Sequence, residues 1–181
     1  MSQYLMKARE PISSFSHMIG AVVFAFATIL LIAKALFVGS WSPEILVGVI
    51  VFGISLVALY SASAIYHYSN GSKHKILVLR KLDHSMIYVL IAGSYTPILL
   101  KFMAQREGLI FVSVMWLCAA VGVVIKLCWF NAPRWLQTVL YIAMGWAVLF
   151  DISIFKEMSG IALFLLAAGG ISYTIGGIIY I

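Results

Sequence analysis

The chain has 181 residues, of which 64% are apolar and 10% charged, against about 45–50% and about 25% for a soluble domain. One domain's length of chain has too little interior to hide that much apolar side chain, which excludes a soluble fold, a secreted disulfide scaffold, a disordered chain and a nucleic-acid binder, and leaves an integral membrane protein. The net charge of +6 then reads as membrane topology rather than as affinity for polyanions.

Charges divide the chain into uncharged runs at 11–33, 45–72, 84–100, 108–125, 135–150 and 158–181. A spanning helix needs roughly 17–25 mostly apolar residues, and a basic residue at the end of a short run can snorkel to the headgroups. The spacing predicts helices over 13–37, 44–67, 83–104, 107–129, 135–155 and 158–181. Together they make an all-α integral membrane bundle of six transmembrane helices in one polytopic domain, 1–181. The run at 135–150 is the shortest and must borrow Asp151 to Phe155 to cross. Met1 to Pro11 lacks a signal-peptide cleavage site and reads as a short interfacial helix ending at Pro11. The stretch 68–82 reads as a basic loop. The chain stops at Tyr180-Ile181 without a polar tail, so a continuation beyond Ile181 is expected.

Orientation follows from Lys and Arg. Lys7, Arg9, Lys73, Lys75, Arg80, Lys81, Lys126 and Arg134 fall on the side of the amino terminus, and Lys34, Lys101, Arg106 and Lys156 on the other. Eight against four predicts a multi-pass protein of the cell membrane with its amino terminus in the cytoplasm. Cys118 and Cys128 lie about 15 Å apart on one helix, too far for a disulfide, and read as apolar fillers. Trp41, Trp129 and Trp135 read as interfacial belt residues.

Ionisable residues in membrane segments are functional candidates by default. His17, His67, Asp83 and His84 all fall near the cytoplasmic ends of their helices. Ser63 and His67, four residues apart, share one helix face, and Asp83 opens the next antiparallel helix. Imidazole, carboxylate and hydroxyl together suit a zinc site and its supporting groups. Anchoring of helix ends among headgroups accounts for the same residues and is their commoner use. His84 points about 100° away from Asp83, His74 lies in the basic loop, and Asp151 lies at the opposite membrane face. Pro97 in Ser94-Tyr95-Thr96-Pro97 is expected to kink its helix, with Ser94 or Thr96 serving the freed backbone. Gly169, Gly170, Gly176 and Gly177 read as close helix packing.

Ser63-Ala64-Ile65-Tyr66-His67, Lys81-Leu82-Asp83-His84-Ser85 and Ile91-Ala92-Gly93-Ser94-Tyr95-Thr96-Pro97 resemble the haemolysin III family of the progestin and adipoQ receptor superfamily. That superfamily includes the adiponectin receptors and is distantly related to alkaline ceramidases. Glu10 with Ser16-His17-Met18-Ile19-Gly20 resembles its amino-terminal signature, although Ser13 stands where an Asn is frequent. Gly169 to Gly176 resemble its sixth helix. The resemblance implies a seven-helix bundle with a zinc site held by His67 and two further His on a seventh helix, absent from this chain. Asp83 and Ser63 form the supporting catalytic shell, and His17 is a possible additional ligand. Zinc is thus the expected cofactor, with an incomplete ligand set on this chain, and a membrane lipid the expected partner. The leading function is zinc-dependent hydrolysis of a lipid amide or ester. A cytolysin or regulator of membrane lipid state, and a receptor for a lipid or small ligand, are the alternatives.

Overall fold

The computed structural model describes residues 7–38, 42–129 and 133–180. All regular structure among them is helical: α1 Pro11–Val38, α2 Pro43–Tyr68, α3 Lys73–Phe102, α4 Gln105–Cys128, α5 Arg134–Gly145 and α6 Gly160–Tyr180. A 3₁₀ segment, Ala147–Phe150, and a single helical turn, Ile154–Glu157, join α5 to α6. The protein is an all-α bundle of the integral membrane type, with five helices, α1 to α4 and α6, long and apolar enough to cross a bilayer.

Local chemistry explains the helix starts. Pro11 opens α1 and Pro43 opens α2, where the missing N–H costs nothing. The Ser42 and Ser72 hydroxyls accept from the N–H groups of Ile45 and Lys75 at the starts of α2 and α3. Pro11 therefore begins a helix rather than ending one. The interfacial helix expected at the amino terminus lies mostly outside the described residues, and 7–10 are not helical.

The basic stretch 68–82 is not a loop. The connection is only 69–72, with Gly71 at a φ of 142°, a conformation that glycine adopts without strain. Helix α3 starts at Lys73, so Asp83 sits almost three turns inside it, about 15 Å from its beginning. Charges end a membrane-compatible composition, but they do not interrupt backbone hydrogen bonding. Lys and Arg extend helices well and reach the headgroup layer from their first turns.

Helix α3 is the least apolar of the five long helices and also the most buried. Lipid accepts apolar surface readily, so the helix with most polar side chains goes to the middle. Tyr88, Ile91, Ala92, Tyr95 and Leu99 from α3 meet Met115 and Ala119 of α4 and Tyr141 of α5 in the core. Small residues set the helix spacing. A Cβ added at Gly48 would lie 2.8 Å from Pro97 Cα, and one at Gly93 would strike Ser55. Helix α3 runs through Pro97 as one continuous element. The Ser94 and Thr96 hydroxyls donate to Ile91 O and Ala92 O at 2.8 and 2.9 Å, not to Gly93 O, the carbonyl that Pro97 frees four residues back, so the expected service by either hydroxyl is not what the structure shows. In α6, a Cβ added at Gly170 would meet Trp146 and one at Gly177 would meet Ile142 and Thr138, whereas one at Gly169 or Gly176 would meet nothing within 4 Å among the described residues. Only half of the glycine set packs closely.

The largest departure is the fifth run. A single helix over 135–155 is expected, but α5 ends at Gly145, and Trp135–Gly145 is too short to span. The Tyr95 hydroxyl causes the break to be tolerated. It donates to Gly145 O at 2.7 Å and accepts from Val148 N at 2.9 Å, so one buried side chain satisfies a backbone acceptor and a backbone donor at the interruption.

Candidate functional site at one end of the bundle

The start of α1, the end of α2, the first turns of α3 and the end of α4 meet at one end of the bundle. Lys81 Nζ donates to Leu127 O at 2.7 Å, tying α3 to the last carbonyls of α4. Residues 7–10 lie across the end of α2. Arg9 N donates to Tyr68 O at 3.3 Å and Glu10 N to His67 O at 3.0 Å. Both carbonyls belong to the last turn of α2 and lack helical partners.

Inside this end, His17 Nδ1 lies 2.6 Å from Ser63 Oγ. Ser63 is buried, and its hydroxyl acts on the Asp83 carboxyl. A hydroxyl has one proton. Turned toward an Asp83 carboxylate, it leaves Oγ to accept from a protonated His17 Nδ1. The His17 and His67 rings are 5.4 Å apart, centre to centre, at 72°. His67 Nδ1 lies 2.7 Å from Glu10 Oε2, and Arg9 pairs with the other Glu10 oxygen at 3.0 Å. The Arg9 guanidinium also sits 4.3 Å over the Tyr66 ring. Partial burial pushes the Glu10 carboxyl up, but hydrogen bonding and charge from His67, with the charge of Arg9, outweigh it and hold it below its ordinary value.

Ser63, His67, Asp83 and His17 are thus brought together, as their level in the sequence suggests. The structure adds two residues. Glu10 enters the sequence reading only as part of a signature, and Lys126 only as a topology charge. Lys126 Nζ donates to Gln137 Oε1 at 2.5 Å, with Gln137 itself buried, and its charge acts on Asp83. A Lys in the last turn of α4, directly after the uncharged run 108–125, was the available signal. The His84 carbonyl accepts from the Tyr141 hydroxyl at 3.0 Å. His74 is exposed on the first turn of α3. Asp151 lies beyond the break after α5 and accepts from Ser153 N at 2.9 Å. That bond and the Ser153 hydroxyl hold its carboxyl below the ordinary range.

Imidazole nitrogen and carboxylate oxygen are zinc donors by type, so the chemistry of the set fits the expected metal. Among the described residues, no three His, Cys, Asp or Glu side chains group closely enough to hold a metal ion. A zinc ion centred on His67 would therefore need ligands beyond this set.

The family model for haemolysin-III related proteins matches residues 5–181. The chain belongs to the haemolysin III family. It is 35% identical over 174 residues to the Hemolysin-3 homolog of Bacillus subtilis (strain 168), covering 95% of this chain and 80% of that protein. It is 33% identical over 183 residues to Hemolysin-3 of Bacillus cereus, covering 100% of this chain and 81% of that protein. No solved structure matches the chain significantly. The haemolysin III match embraces every residue of the cluster, from Glu10 to Lys126.

Proposed function

We propose that this haemolysin III protein is a zinc-dependent hydrolase of a membrane lipid amide or ester. The convergence of His67, His17, Ser63 and Asp83 at one end of a membrane bundle carries that reading. His67 would hold the metal, with His17 the nearest additional nitrogen. When bound, zinc supplies a Lewis acid that acidifies water and polarises a carbonyl oxygen. Asp83 takes the proton of the attacking water on its carboxylate and returns it to the departing amine or alcohol. The Ser63 hydroxyl, which acts on the Asp83 carboxyl, orients it and can turn to the carbonyl oxygen as charge develops there.

An apolar cavity of about 750 Å³ supports a lipid substrate. Phe52, Leu56, Leu90, Tyr95, Trp146 and Leu166 are among its lining residues. It is not at the polar cluster: Leu90 and Ser94 lie roughly 10–16 Å further along α3 than Asp83. A lipid with its polar bond at Asp83 and its chain toward the bilayer centre would span that separation.

The test is zinc content of the purified full chain together with a lipid amide and ester hydrolysis screen. His67→Ala should lose the metal, and Asp83→Asn should retain most of it while losing hydrolysis by about 10²–10⁴-fold, the usual worth of a proton acceptor. Equal metal loss in both variants would make Asp83 a direct ligand and refute this division of roles. The relatives' name, Hemolysin-3, favours a second reading, membrane lysis. Lysis by an Asp83→Asn protein at the wild-type rate, with no lipid turnover, would select it.

A further inference from the structure

We infer that Glu10 is a positioning residue for His67, holding its ring with the proton on Nδ1 and the lone pair on Nε2. Three observations carry this. The Glu10 Oε2 to His67 Nδ1 distance is 2.7 Å. A carboxylate can only accept, so the nitrogen facing it is the protonated one. The Glu10 backbone is fixed independently of its side chain, because its N–H donates to His67 O and the preceding N–H to Tyr68 O. The same residue is therefore bound at both ends: backbone to the carbonyl of His67, side chain to its ring. Asn70 Nδ2 to Lys7 O at 2.6 Å and Ser14 Oγ to Ala64 O at 3.2 Å hold the flanking chain on α2.

The chemical consequence lies at Nε2. Free imidazole exchanges its proton between the two nitrogens, and a ring used as a base or a metal ligand must present the unprotonated one. Carboxylate-held histidines are the common solution, because the partner fixes both the tautomer and the ring orientation. Where the Ser63 hydroxyl is turned to Asp83, His17 reaches the same state by another route, donating from Nδ1 to Ser63 Oγ. The two rings, 5.4 Å apart, thus each have Nδ1 engaged and Nε2 left for chemistry. The salt bridge is partly exposed, with 46% of the Glu10 side chain accessible against 18% for His67. Its role is orientation more than stability.

The tautomer bears on the proposed hydrolytic site but is read from proton positions, so failure to detect hydrolysis would leave it standing. The experiment is nitrogen NMR on the full chain with labelled histidine, in lipid nanodiscs at about pH 8, above the ordinary imidazole value. Wild type should give His67 a protonated Nδ1 and an unprotonated Nε2. Glu10→Ala should reverse that assignment, with a cooperative thermal unfolding transition as the check of an intact bundle. Arg9→Ala, which keeps the carboxylate, should leave His67 as in wild type. If the alanine variant loses that transition, Glu10→Asp replaces it; one methylene shorter, it too should lower the Nδ1-protonated fraction. A wild-type His67 protonated on Nε2 overturns the assignment. So does a full Nδ1-protonated population in either folded Glu10 variant.

Discussion

Glu10 is one side chain with two opposite pulls on it. Burial raises its pKa, while His67 and Arg9 lower it more, so its folded value lies below the ordinary 4.5. A depressed carboxyl contributes its stability above the unfolded value and loses it as the pH falls through the folded one. The hold of residues 7–10 on α2 should therefore be complete at about pH 6 and fade below the ordinary carboxyl range. With Glu10 about half exposed, the pair belongs at the low end of the roughly 0.2–1 kcal/mol seen for surface ion pairs. Hydrogen exchange at the Arg9 and Glu10 amides, corrected for intrinsic rates, checks it. Protection that survives unchanged well below pH 4 would mean the backbone bonds alone hold the segment. Ser63 and His67 were legible as a pair because four residues make one helical turn. The partners of Glu10 and Lys126 were not, because each lies on a different element.

At the scale of elements, the interrupted fifth run depends on a residue fifty positions away. Tyr95 comes from α3, and its hydroxyl bridges Gly145 O and Val148 N. Tyr95→Phe keeps the ring and its packing but leaves a buried donor and acceptor unpaired, at about 1–3 kcal/mol each. The expected outcome is a lower thermal midpoint in detergent with α3 and α4 intact. An unchanged midpoint would mean that lipid or water satisfies those groups, and that Tyr95 does not maintain the break. Composition alone could not foresee this, since Ala147–Phe150 is as apolar as any helix interior. The start of α3 was missed for a related reason: its basic residues look like a loop by hydropathy, yet Ser72 caps a helix there.

For the whole molecule, alternating long helices put Lys7, Arg9, Lys73, Lys75, Arg80, Lys81 and Lys126 at the end that carries the polar cluster. We expect that end to face the cytoplasm. Single cysteines at 70–75 in an otherwise cysteine-free protein should resist membrane-impermeant thiol reagents in intact cells and react after lysis. Labelling of intact cells would reverse the orientation and move the cluster to the outer face. Membrane residence, the all-helical class and the common level of His17, His67 and Asp83 were determined by the sequence itself. Each is a property of composition or of spacing along a single helix, and the bilayer enforces it residue by residue. Tertiary structure alone decided that α3 is the central helix, that the fifth run breaks on Tyr95, and that Glu10 and Lys126 join the cluster. Those outcomes depend on which helix faces meet, and contacts between faces far apart in the chain leave no periodicity in it.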